Sequence, residues 1–154
     1  MLYEVLSNKE FALMMKRHAS EIMGFLFDNN YHFSILANTA DITFDPPLPQ
    51  EITQNFQQVI LFALAGYTYE SAKMDEKNLY FEAGFGAENI GSVVTVPISS
   101  ILQIIVEDNP IFINLSYPYE EEEDREDEEG LEKSMKIFAS NPENEKLLKK
   151  KKKK

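Results

Sequence analysis

QVILFALAGYTYE (residues 58–70), AKMDEKN (72–78), LYFEAGFG (79–86) and SVVTVPISSILQIIVED (92–108) follow one another through the middle of the chain. Apolar, β-branched and aromatic runs divided by short polar turns are the pattern of consecutive antiparallel strands. In the first run Val59, Leu61 and Ala63 form one face and Ile60, Phe62 and Leu64 the other. Both are apolar, which predicts a strand covered on both sides. In the next run Leu79, Phe81, Ala83 and Phe85 point one way, and Tyr80, Glu82 and Gly84 the other. The small residues Ala83, Gly84 and Gly86 have two readings. They leave room for a second backbone to approach, or they mark a bulge or bend in a curved sheet. The polar stretches 73–78 and 87–91 read as hairpin connections.

Outward from these strands, Ser7-Asn8-Lys9-Glu10 fits a capping box with Ser7 as N-cap and Glu10 at the third helical position. Phe11, Met14, Met15, His18, Ile22, Phe25 and Leu26 then recur at helical spacing. This predicts an amphipathic helix over 8–28, one face packed on the sheet. His18 has no second donor at metal-binding spacing and reads as a packed or half-exposed histidine. Residues 31–37 read as a first strand and 41–44 as a short second one. Pro46, Pro47 and Pro49 stop that strand and force an extended path. Residues 50–57 read as a helical turn, and 94–97 as a strand ended by Pro97. Residues 98–107 read as a turn followed by a strand, and 111–115 as a last strand.

Composition narrows the chemistry. With 154 residues, 44% of them hydrophobic, the chain has material for one domain with a modest core. It has no cysteine and 2 histidines, neither in an HxxxH or HExxH pattern, which removes thiol and thiolate-metal chemistry. GFGAEN (84–89) lacks the third glycine of a dinucleotide loop and leads into a strand, not a helix. No apolar run approaches the ~20 residues of a membrane span. The N-terminus does not resemble a secretory signal, so a cytoplasmic protein is expected. Residues 1–118 hold 14 acidic and 5 basic side chains, a net of −9 that repels phosphate backbones. Residues 119–154 hold 12 acidic and 10 basic, including EEEEDREDEE and six terminal lysines. Such a run is expected to be a disordered, extended tail.

FLFDNNYHFSIL, QVILFALA and NLYFEAGFGAENIGSVVTVPISSILQIIVEDN, in this order and spacing, resemble the SspB family of bacterial proteolysis adaptors. The resemblance covers roughly residues 22–114. It implies a mainly β domain (1–118) with an N-terminal helix and an Sm-like two-sheet barrel, followed by a flexible tail (119–154). It also implies a non-enzymatic, cofactor-free protein that binds ssrA-type degradation tags in a groove beside the sheet and delivers tagged polypeptides to the ClpXP protease. In the family the helix commonly supports a homodimer, and the tail ends in an apolar-basic motif that docks on the ClpX unfoldase.

Carried over position by position, the groove falls on the strand of Phe81, Ala83 and Phe85. Ala83 supplies space and the two phenylalanines apolar walls, with Ala63 and Phe44 as further candidates. Leu147, Leu148 and Lys149 are the candidate ClpX-docking residues, and Met135, Ile137 and Phe138 compete with them. The Pro46–Pro49 loop, the ITQNFQQ insert, the acidic Glu82 and Glu88, and the lysine-rich ending depart from the family pattern. Two other classes stand beside this reading. A nucleic-acid-binding Sm-like or OB-like module needs a basic groove with stacking aromatics. A hydrolase would use paired carboxylates such as Glu82 and Glu88.

Overall fold

A computed structural model describes residues 1–117. The charged segment that follows, with its expected docking residues Leu147, Leu148 and Lys149, lies outside the described residues. Two helices open the chain, α1 (Leu2–Leu6) and α2 (Lys9–Asp28). The N-cap of α2 is Asn8, not Ser7. Asn8 has the extended backbone that a cap needs, and its side chain accepts from the N–H groups of Glu10 (2.8 Å) and Phe11 (3.3 Å). Ser7 instead ends α1, in the helical region, and donates its hydroxyl to the Tyr3 carbonyl at 2.6 Å. The buried stripe of α2 is also turned from the expected one. Ala12, Ala19, Met23 and Leu26 are buried, while Met14, His18 and Phe25 face outward. Two alanines let the helix come close to its neighbours, a contact that a search for large apolar residues passes over.

The strands are β1 (Phe33–Asn38), β2 (Thr43–Asp45), β3 (Val59–Leu64), β4 (Lys73–Met74), β5 (Asn78–Phe85), β6 (Ile90–Pro97), β7 (Ile101–Val106) and β8 (Asn109–Ile113). They form two antiparallel four-stranded sheets. Sheet one has the order β3-β1-β7-β8 and sheet two the order β2-β6-β5-β4. No ladder joins them among the described residues, so the pair does not close into a barrel. Their inner faces meet in one core. Ile35, Leu64 and Ile104 come from sheet one, Leu79, Phe81 and Val94 from sheet two, and Met23 from α2.

Two short helices link the strands, α3 (Gln50–Thr53) and α4 (Gly66–Ser71). The second occupies the end of the 58–70 run, whose strand the sequence places over 59–65. β3 stops at Leu64, and Gly66, at φ 57°, turns the chain into α4. Pro97 sits where the ladder tolerates it. The Ile98 N–H donates to the Lys77 carbonyl (2.9 Å), so by alternation Pro97 lies opposite Asn78 in a pair that needs no N–H donor.

Candidate functional site

β3 is an edge strand, and its geometry corrects the expectation of two covered faces. Val59 and Leu61 are 37% and 56% exposed, whereas Phe62 and Leu64 are buried. The Thr39 N–H donates to the Gln58 carbonyl (3.0 Å), which fixes the alternation of the β1–β3 ladder. Ile60, Phe62 and Leu64 therefore bond β1, and the backbone groups of Val59, Leu61 and Ala63 point away from the sheet. The same three residues turn their side chains to solvent. No charge, proline or bulge interrupts the strand. This is an unguarded edge of the kind that accepts another strand.

β5 has an open stretch too. It pairs with β6 along its full length, but β4 covers only Leu79 and Tyr80 on the other side. On that open side the Glu82 N–H donates to the Ser71 hydroxyl of α4 at 2.9 Å. By the same alternation the Gly84 N–H and carbonyl point the same way. Gly84 also explains its own composition. A Cβ there would lie 1.8 Å from the Asn89 side-chain oxygen, so the close approach is by the β5–β6 turn. The ladder runs without a bulge through this stretch, and Gly86, at φ 73°, makes the turn.

The two open stretches border one aromatic cluster. Phe62 lies edge-on to Phe81 (5.0 Å between centroids) and to Phe85 (6.3 Å). Phe85 meets Phe44 at 5.4 Å, and Phe56 lies 5.7 Å from Phe44 and 6.1 Å from Phe85. Of the residues expected at the groove, the structure thus brings Phe44, Phe81 and Phe85 together. Phe81 is only 1% exposed and belongs to the core beneath the site, not to a wall of it. Phe44 and Phe85 are half-buried, Ala83 is half-buried on β5, and Ala63 stands exposed on the other sheet. Sequence reasoning missed Phe56, Phe62 and Tyr67. Phe56 had no local signal, lying in the irregular stretch between α3 and β3 that only the fold returns to Phe44.

A concavity of about 410 Å3 opens on the outward face of sheet two, lined by Asp45, Tyr67, Glu82, Ala83, Gly84 and Gly91 among others. The Tyr67 hydroxyl donates to the Glu82 carboxylate. That bond, then the carboxylate's charge, raises the Tyr67 phenol above its ordinary value. Ser92 fastens the far rim, donating its hydroxyl to the Pro46 carbonyl at 2.9 Å. Glu88 is exposed on the β5–β6 turn and is not among the residues lining this concavity. Among the described residues no three His, Cys, Asp or Glu side chains gather as a metal site, and no helix is long and apolar enough to cross a membrane. Compared with known proteins, the chain matches no family model and no curated sequence.

Proposed function

We propose that this chain is a cytoplasmic, non-enzymatic adaptor of the SspB kind. Its body captures an extended degradation tag of the ssrA type, and residues 119–154 tether the complex to the ClpX unfoldase. The Sm-like arrangement implied by the sequence resemblance is the finer reading of its two open sheets. One observation carries the proposal, the unguarded β3 edge beside the open stretch of β5. A tag strand adding to such an edge gains backbone hydrogen bonds, and alternate side chains gain apolar contact with Leu61 and Ala63. Tethering then raises the local concentration of captured substrate at the protease. Met14 and Phe25, apolar and 41% and 57% exposed on the outward side of α2, suit the homodimer that the resemblance implies.

Fluorescence anisotropy of a labelled ssrA-tag peptide against the full chain tests capture. Saturable binding is expected, lost in Ala83→Gln, whose longer side chain points with Phe81 and Phe85 toward the aromatic cluster. A folded wild type that binds no tag overturns the reading.

A further inference from the structure

The concavity on sheet two has a chemistry of its own. Its floor is Gly84 directly opposite Gly91 in the β5–β6 ladder, with the Asn89 side chain lying over Gly84 and lining that end of the space. Across the same face the register runs Asp45, Val93, Glu82, one residue from each of β2, β6 and β5. Neighbouring strands lie ~4.8 Å apart, so the two carboxylates stand roughly two strand spacings from each other with Val93 between them. Among the described residues no lysine, arginine or histidine lines the space, and Lys73 lines the adjoining hollow that shares Val93. The ring of Tyr67 forms one wall, and its hydroxyl holds one Glu82 oxygen while the other stays available.

That spacing selects the occupant. Carboxylates roughly 10 Å apart are too distant to share a metal ion, which needs each oxygen within ~2.6 Å. A long side chain ending in a cation, laid over Val93, comes within about one strand spacing of both. It can also place its stem against the Tyr67 ring. The surrounding body, with 14 acidic and 5 basic residues over 1–118, attracts the same charge and repels the opposite one.

We infer that this concavity receives a lysine or arginine side chain of the captured peptide, so that the chain selects tags carrying a basic residue. The inference rests on the peptide-capture reading above and deepens it.

The test uses two probes, acetyl-Ala-Ala-Lys-Ala-Ala-amide and the same peptide with norleucine in place of lysine. Each is titrated into the full-length 15N-labelled chain while backbone amide shifts are followed. The lysine peptide is expected to move the amides of Gly84, Gly91 and Val93 and to bind about fivefold more tightly than its norleucine twin, the scale of a partly exposed ion pair. Glu82→Gln, and independently Asp45→Asn, are expected to bring that ratio toward one, as is added salt. Equal binding of the two peptides at these amides overturns the selection of a cation while leaving capture intact. Silence at these amides in a protein that still binds the labelled tag overturns the site. Failure of both probes and of the tag removes the capture reading, and this inference with it.

Discussion

Sheet one ends in two edge strands built in opposite ways. β3 and β8 expose apolar side chains to a similar degree, Leu61 at 56% and Val59 at 37% against Ile113 at 49% and Ile111 at 47%. Side-chain exposure therefore does not tell them apart. Their backbones do. β8 carries Pro110 within the strand, and its ladder with β7 shifts register between Ile104 and Ile105. The chain beyond it is fastened, with the Asn114 N–H on the Leu102 carbonyl (2.8 Å) and the Tyr117 N–H on the Leu6 carbonyl (2.7 Å). β3 has neither a proline nor a shift of register. Proline and irregular register are usual means of blunting a strand edge, and their placement on one edge only marks the other as the one kept for pairing.

The largest expected effect separates the two faces of β3 itself. Phe62 packs inward on Phe81 and Phe85, so Phe62→Ala is expected to cost about 3–5 kcal/mol of stability. Leu61 points outward, and Leu61→Ala is expected to stay within about 0.5 kcal/mol. Urea unfolding of both variants measures the difference. Equal losses would mean that the β1–β3 register is off by one residue.

The second prediction compares the edges by charge. Leu61→Lys places a gatekeeper on the open strand, leaving stability within about 0.5 kcal/mol. Affinity for the labelled tag should fall by at least about tenfold. Ile111→Lys makes the same change on the guarded edge and is expected to leave tag binding where it was. Should the two lysines act alike in the anisotropy titration, the asymmetry between the edges has no bearing on capture.

How far the sequence foretold this arrangement varies with the kind of signal. β1 and β5 were legible because alternation survives wherever one face is buried and the other is not, whereas β7, buried at Ile101 and Ile104 without alternation, was legible as an apolar β-branched run. β3 misled for a reason of degree, since a strand apolar on both faces reads as central, and here it lies at an edge. α4 was hidden because Tyr67 and Tyr69, two residues apart, mimic continued alternation past Leu64. The left-handed turn at Gly66 breaks it, and a lone glycine does not announce that turn. At the site, Phe44, Phe81 and Phe85 were within reach of sequence reasoning as candidates. Their division into a buried support (Phe81) and half-exposed members (Phe44, Phe85) depends on Phe62 arriving from the other sheet. No local pattern encodes that meeting.

The smallest expected effect concerns the joint between the open edge and the concavity. β3 runs into α4, and α4 is fastened to β5 by the Tyr67 hydroxyl on Glu82 and by Ser71 accepting from the Glu82 N–H. Donating to a carboxylate, and lying in its field, favours the protonated phenol, so Tyr67 titrates above the ordinary value of 10.0. The folded state then holds this proton more tightly than the unfolded chain. The stabilisation is complete below the ordinary phenol value and is lost as pH rises through the raised one. In an ultraviolet difference titration of wild type against Tyr67→Phe, the missing phenol is expected to be one that ionises late. Glu82→Gln should bring it down, and Glu70→Gln should do so less, since Glu70 contributes least. Tyr69 supplies the internal contrast, because burial alone raises its phenol and Glu82→Gln should leave it unmoved. A Tyr67 that ignored Glu82→Gln would leave α4 held to β5 by Ser71 alone. The wall of the concavity would then be free to swing, and any coupling between the open edge and the acidic face beside it would be lost.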